Sequence, residues 1–291
     1  MTYVLTLIAD RTATSLTDAQ IAAARDAVDG APAKVLSEGE AVDIAFRMPP
    51  SWPRIAAAIG DARIDTIVTR ARNRRKAVLI ADMDSTIVTS ETLDEIAAYA
   101  GLKDQIAAIT MQSMRGEIDF ADALRLRVGM LKGLSVDALA QTWAKTEFMP
   151  GARELVATMR GHNALTALVS GGFTWFTGRV AGALGFDEHR ANVLLEDGTA
   201  LTGEVGEPIL DRDAKLATLR ELASERGVRL EATVAVGDGA NDLAMIRQAG
   251  LGVAYHAKPI VAAEARAQVK FADLRAVLFA QGYPAASFRV D

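Results

Sequence analysis

Asp82-Met83-Asp84-Ser85-Thr86 puts two carboxylates on either side of one residue, directly after the apolar run Ala77 to Ala81. A short aliphatic run of this kind predicts a strand buried on both faces. Residues two apart on extended chain point the same way, so both acids can face one small volume. Two carboxylates that close repel unless a cation or a shared proton relieves them. In open α/β sheets ligands bind beyond the carboxyl ends of the strands, which is where these acids fall. The plainer reading of the same five residues is a polar turn closing a strand. What other strands bring to that edge decides between the two.

Two further apolar runs end in chemically loaded turns. Leu165 to Val169 leads into Ser170-Gly171-Gly172, and Thr233 to Val236 leads into Gly237-Asp238-Gly239-Ala240-Asn241-Asp242. If all three runs are parallel neighbours, their turns share one edge. A carboxylate can attack phosphorus and split one hard displacement into two, provided a cation offsets repulsion between nucleophile and phosphate oxygens. Asp82 is the candidate nucleophile, and Asp84 the general acid and later base. Asp238 would join Asp82 and Asp84 as metal ligands. Ser170 and the backbone N–H groups of Gly171, Met83 and Asp84 can cradle phosphoryl oxygens. Lys215 offers a cation against developing charge. Asn241 and Asp242 open a helix and either cap it or orient Asp238, the phosphate or the lysine.

The elements that must position these groups read as an α/β fold. Helices over Gly151 to Arg160, Thr174 to Leu184, Lys215 to Arg226 and Asp242 to Gln248 alternate with the strands, with further short strands at Gly252 to Ala254 and Val269 to Phe271. That alternation predicts a doubly wound parallel sheet over 76–86 and 147–291. Val193 to Val205 reads as a hairpin around Asp197-Gly198. Between the first strand and the next α/β unit, 87–146 is helical almost throughout. Four segments, Thr92 to Ala100, Lys103 to Met114, Phe120 to Leu131 and Val136 to Lys145, carry apolar residues at helical spacing. A helical cap placed there lies above the acids as a lid. Residues 1–71 show a βαββαβ order, which predicts a small ferredoxin-like α+β domain similar to ACT modules. It is expected to serve for packing or as a homodimer contact. Arg70, Arg72, Arg74, Arg75 and Lys76 form a basic run that reads as a solvated linker.

Composition narrows the chemistry further. The chain has 291 residues, half of them hydrophobic, and a net charge of −5, which argues against nucleic-acid or membrane-surface partners. There is no cysteine and there are only three histidines. A metal would therefore be held by oxygen, which points to Mg²⁺. No apolar run approaches the length of a membrane span, and no secretory signal is evident at the N-terminus. A cytoplasmic protein is expected.

Taken together, D-x-D-S-T, S-G-G, a lysine and G-D-G-x-N-D resemble the haloacid dehalogenase-like phosphatases, over about residues 76 to 280. The cap sequence around Glu91, Asp94-Glu95-Ile96, Met114 to Phe120 and Leu124 to Val128 is similar to the phosphoserine phosphatase branch of that family. The resemblance implies Mg²⁺-dependent hydrolysis of O-phosphoserine through a phospho-aspartyl intermediate, the last step of serine synthesis. It implies that Glu91 receives the substrate ammonium and Arg127 its carboxylate, with Phe120 and Met114 closing over the site. Another small phosphate, such as phosphothreonine or phosphohomoserine, is the alternative substrate.

Overall fold

The computed structural model describes residues 2–114 and 117–290; the side chains of Met114 and Arg212 lie outside the described set. The N-terminal unit comprises β1 (Tyr3–Ala9), α1 (Asp18–Ala27), β2 (Lys34–Ser37), β3 (Ala41–Phe46), α2 (Trp52–Ile59) and β4 (Ile64–Arg70). Thr17 and Gln20 start α1 with reciprocal capping bonds. The strands pair antiparallel in the order β2-β3-β1-β4, the arrangement expected of a ferredoxin-like unit. One sheet face, carrying Leu5, Leu7 and Ile44, packs on Ala24 and Ile55 of its own helices. The other face carries Ile8 and Ile67, which join the main core of the chain. Period-two alternation with both sets apolar is what buries this sheet on both sides.

The basic run is solvated at Arg70, Arg72 and Arg75, as expected, but not at Arg74. Arg74 forms a bidentate pair with Asp43, at 2.6 and 3.0 Å, and also reaches Thr6 Oγ1 and the carbonyls of Phe279 and Ala280. Both partners are about one-tenth exposed. The guanidinium thus joins β1 and β3 to the carbonyl end of a C-terminal helix, where a cation also suits the helix dipole. Spacing alone could not separate this arginine from its exposed neighbours Arg72 and Arg75. Asp65 on β4 makes a second tie, accepting the N–H groups of Lys270, Phe271 and Ala272 at 2.8 to 3.1 Å.

Beyond the linker come β5 (Val78–Ala81), α3 (Thr92–Tyr99), α4 (Lys103–Met114), α5 (Phe120–Gly129), α6 (Asp137–Lys145), α7 (Ala152–Gly161) and β6 (Leu165–Phe173). They are followed by α8 (Thr174–Leu184), β7 (Glu188–Asn192), β8 (Leu194–Glu196), β9 (Leu201–Val205) and α9 (Arg212–Glu225). The chain ends with β10 (Thr233–Gly237), α10 (Leu243–Gln248), β11 (Leu251–Tyr255), α11 (Pro259–Glu264), β12 (Ala267–Val269) and α12 (Arg275–Ala280). Six strands form one parallel sheet, in the order β12-β11-β10-β5-β6-β7. Ala81 pairs with Val236 on one side and Leu168 on the other. The acids after β5, the Ser-Gly-Gly turn of β6 and the Gly-Asp-Gly turn after β10 therefore end at one level. The expected β-strand at Leu165 to Val169 runs on to Phe173, and α9 begins at Arg212 because Asp211 caps it through the N–H groups of Asp213 and Ala214. β7 and α12 were not anticipated. β7 reads Glu-His-Arg-Ala-Asn, with no apolar alternation, and is a strand because β6 offers it a backbone ladder.

The helical insert α3–α6 leaves and re-enters the core through two crossing segments: Val88 bridges Phe148, Thr89 N–H donates to Glu147 O, and Met149 N–H to Ile87 O. It has a second attachment. The β8–β9 hairpin meets the α5–α6 connection through backbone bonds Gly133 N to Leu201 O, Leu201 N to Leu134 O and Val136 N to Thr199 O. Arg125 of α5 pairs with Glu207 at 2.7 Å. α5 and α6 are thus tied to the β8–β9 hairpin as well as to the base of the insert. Among the described residues no helix is long and apolar enough to cross a membrane.

Replacing Arg74 by Met would leave Asp43 enclosed without its partner. Breaking such a pair is expected to lower the unfolding free energy by about 3 kcal/mol, read by urea denaturation. A change below about 1 kcal/mol would show that the pair behaves as a surface one.

Candidate active site

Asp82 follows β5 directly and its N–H donates to Val236 O, locking it beside the β10 turn. Its Oδ1 accepts from Met83 N–H at 2.8 Å and from Lys215 Nζ at 2.8 Å. Among the described residues Oδ2 has no hydrogen-bond donor, so it is the atom left for a ligand. Lys215 comes from the first turns of α9 and is 1% exposed. It also donates to Asp242 Oδ1 at 2.6 Å. Burial alone would strip its proton, but Asp242 and Asp82 more than offset that and hold it as an ammonium. Burial and Asp82 push the Asp242 carboxyl up, opposed by Lys215. A charged lysine enclosed between two acids requires countercharge, so the Lys215–Asp242 contact is an ammonium–carboxylate pair. Gly237 makes room for it, since a Cβ there would collide with the Asp242 carboxyl. Of the roles open to Asp242 the structure displays two: Oδ1 holds the lysine, and Oδ2 accepts the Gly239 N–H at 3.0 Å, capping the turn that carries Asp238.

Asp82, Asp238 and Asp242 present carboxylate oxygens within 4.8 Å of one another, all buried. Asp238 Oδ1 accepts from the buried Thr86 hydroxyl at 3.2 Å, and Lys258 Nζ stands 3.8 Å from Oδ2. Burial and Asp82 push the Asp238 carboxyl up to about 6. Three acids against one fully buried ammonium leave excess negative charge, and an all-oxygen donor set suits a hard divalent cation. The residues therefore fit Mg²⁺. Asp84, expected among the ligands, stands apart from this cluster. Its Oδ1 accepts the Thr92 N–H at 3.1 Å, at the start of α3. Burial, Glu91 and Asp82 push its carboxyl well above the usual range, although it keeps some surface in the cavity. A carboxyl that holds its proton more tightly than usual, beside Asp82, has the chemistry of a general acid.

The Ser-Gly-Gly turn faces the acids. Ser170 Oγ accepts the Gly172 N–H at 2.9 Å, which leaves the hydroxyl proton for an anion. A Cβ on Gly172 would come 3.0 Å from Asp84 Oδ2, and one on Gly171 would come 3.2 Å from the Phe120 ring of the cap. Small residues thus let Asp84 and Phe120 close on the turn. Asn192 of β7 donates to Gly171 O at 2.9 Å and accepts the Leu210 N–H at 2.7 Å. It joins the Ser-Gly-Gly turn to the segment that leads into the helix bearing Lys215. Asn192 escapes sequence reasoning: only tertiary pairing distinguishes it from an ordinary strand residue, whereas Gly172 and Thr86 belong to the quoted turns and gain their particular partners only in the fold.

A cavity of about 870 Å³ lies between these turns and the cap. Asp82, Asp84, Ser170, Gly171, Asp238 and Asn241 line its core side, and Glu91, Phe120 and Arg127 its cap side. Lys215 lies behind Asp82 rather than on the wall. Met114, expected to close over the site, has its side chain outside the described residues. Glu91 Oε1 accepts from Ser85 Oγ at 2.7 Å. Arg127 is 9% exposed and donates from Nε to Ala123 O and from Nη1 to Thr110 Oγ1, each at 3.1 Å. Burial pushes its guanidinium down, with Asp94 and Glu91 opposing. Among the described residues no carboxylate lies within salt-bridge distance of it.

The family model for haloacid dehalogenase-like hydrolases matches residues 79–247. The chain belongs to the haloacid dehalogenase-like hydrolases. Within that family it is similar to phosphoserine phosphatases. It is 42% identical to the phosphoserine phosphatase of Streptomyces coelicolor over 78% of this chain, but spans only 55% of that relative's length. A probable phosphoserine phosphatase from Vibrio cholerae, solved unliganded, superposes with a TM-score of 0.79 at 31% identity, covering 98% of this chain and 88% of the other. A phospho-aspartyl intermediate analogue of phosphoserine phosphatase superposes with a TM-score of 0.66 at 38% identity, covering 70% of this chain and 98% of the other. The matched range 79–247 includes the turns that follow β5 and β10 and the Ser-Gly-Gly turn of β6.

The acid cluster makes the effect of a cation depend on pH. Because the folded value of Asp238 lies above its unfolded one, its contribution to stability is present at low pH and is lost as pH rises through about 6. Millimolar Mg²⁺ should therefore raise Tm by about 5 °C or more at pH 7.5, and by much less at pH 5, where protons compete. Scanning calorimetry against EDTA and ionic-strength-matched NaCl reads this. An equal shift at both pH values would contradict the cluster as the cation site.

Proposed function

We propose that this hydrolase cleaves O-phosphoserine to serine and phosphate through a phosphorylated Asp82. The observation that carries the substrate is Arg127, a buried guanidinium without an acid partner among the described residues, in the wall of the cavity that holds Asp82. An unpaired buried charge is costly, so an anionic group of the substrate is its natural complement. Glu91, in the same wall, supplies the opposite charge for an ammonium. An amino acid carrying a phosphoester places a carboxylate, an ammonium and a phosphate on one short frame, and these three sets of groups match it.

The chemistry follows from the core. Phosphate is held by Ser170, the Gly171 N–H and Asn241. The Asp82 carboxylate attacks phosphorus as the ester P–O bond breaks, and Asp84 protonates the departing serine oxygen. Water then attacks the acyl phosphate, Asp84 takes its proton, and the bond to Asp82 breaks to release phosphate. Lys215 neutralises charge that builds on Asp82 and, through Asp242, is kept from folding away. Asp82, Asp238 and Asp242 would hold Mg²⁺, which supplies the positive charge that lets a carboxylate approach phosphate oxygens. In this reading residues 76–86 and 147–291 are the catalytic core, 87–146 the cap and 1–71 an accessory unit, in a cytoplasmic biosynthetic enzyme.

Asp82→Asn should reduce turnover by at least about 10³-fold and abolish trapping of labelled phosphate on acid quench. Substantial residual turnover in that variant would remove Asp82 from the role of nucleophile. Arg127→Ala and Glu91→Ala should each lower kcat/KM for phosphoserine about tenfold or more relative to p-nitrophenyl phosphate. Equal losses on both substrates would refute the amino-acid assignment.

A further inference from the structure

We infer that Thr110 is a specificity-positioning residue, whose hydroxyl fixes the Arg127 guanidinium so that it takes a substrate carboxylate end-on. The inference rests on the reading of Arg127 given above and adds the device that aims it. Thr110 lies on α4, across the cap from α5, and it lines the cavity. A threonine hydroxyl has one proton to give and lone pairs to receive with. Here the proton goes to Ile106 O, one turn back on the same helix, at 3.1 Å. With that direction committed, the oxygen can only accept towards Arg127, and it does so from Nη1 at 3.1 Å. The polarity of the contact is therefore set by the helix itself.

The consequence is geometric. A guanidinium can grip a carboxylate side-on, through Nε and Nη2, or end-on, through Nη1 and Nη2. Nε is already occupied by Ala123 O. The remaining Nη1 proton and both Nη2 protons have no acceptor among the described residues, so Nη1 and Nη2 are the nitrogens left for a carboxylate. The Nε bond alone would let the planar group swing about the bonds of its aliphatic stem; the Thr110 contact is a second anchor that restricts that freedom. Since α4 and α5 each contribute one anchor, the aim of Arg127 also depends on these two helices keeping their packing. An arginine at this position without the hydroxyl would retain its charge but lose its direction. That should weaken carboxylate binding more than phosphoryl chemistry.

The test is steady-state kinetics on the full chain with Mg²⁺, comparing phosphoserine with phosphoethanolamine, which lacks the carboxylate. Thr110→Val keeps shape and removes the hydroxyl; Thr110→Ser keeps the hydroxyl. The valine variant should raise KM for phosphoserine about tenfold with kcat changed by less than about threefold, and serine should restore most of the loss. KM for phosphoethanolamine should change far less. In an Arg127→Ala background, Thr110→Val should add nothing to the phosphoserine loss. The inference is overturned if the valine variant leaves KM for phosphoserine unchanged, if both substrates lose equally, or if the two substitutions are additive. Arg127→Ala without loss of phosphoserine preference would instead remove the parent reading of Arg127, an outcome distinct from a normal Thr110→Val beside an impaired Arg127→Ala.

Discussion

Three carboxylates held within 4.8 Å of one another repel, and Lys215 is the fixed charge that makes the arrangement tenable. Two like charges about 4 Å apart oppose each other by about 4 kcal/mol at an effective dielectric near 20. That is a large part of the 5–15 kcal/mol by which a typical fold survives. One ammonium enclosed between Asp82 and Asp242 relieves part of it. The acids left over form an all-oxygen donor set that suits a divalent cation.

The sheet supplies the rest by register alone. Because β10, β5 and β6 are parallel neighbours in step, their turns emerge together, and Asp82, Asp238 and the Ser-Gly-Gly turn meet without any long side chain having to reach. Glycines at 171, 172 and 237 complete the approach where a Cβ would have held a catalytic group away. Thr86, Asn192 and Asp242 then hold the polar atoms in place through bonds between elements far apart in the chain.

Above this floor the helical insert is tied twice, through the crossing segments at its base and through the β8–β9 hairpin. The second tie joins α5, which carries Arg127 and Phe120, to the β8–β9 hairpin, so that both side chains face the Ser-Gly-Gly turn across the cavity. The N-terminal unit is likewise integrated, its sheet sharing the main core and pinned through Arg74 and Asp65. Neither unit is a bead on a flexible string.

The sequence by itself determined where the buried parallel strands end and which polar residues follow them. Apolar runs long enough only for buried strands, each followed at once by acids or by Ser-Gly-Gly, leave few ways to arrange Asp82, Asp84, Ser170 and Asp238. The four cap helices and the βαββαβ order were legible for the same reason, since strong local periodicity survives folding. Tertiary structure alone decided where chemistry passes between distant segments. Asp242, rather than Asp84, joins the acid cluster, and Arg74 is buried while its neighbours are exposed. β7 forms on an edge that its own residues do not favour, and Thr110 meets Arg127 across two helices. In each case the deciding energy is a pairing between groups far apart in the chain, which no local pattern encodes.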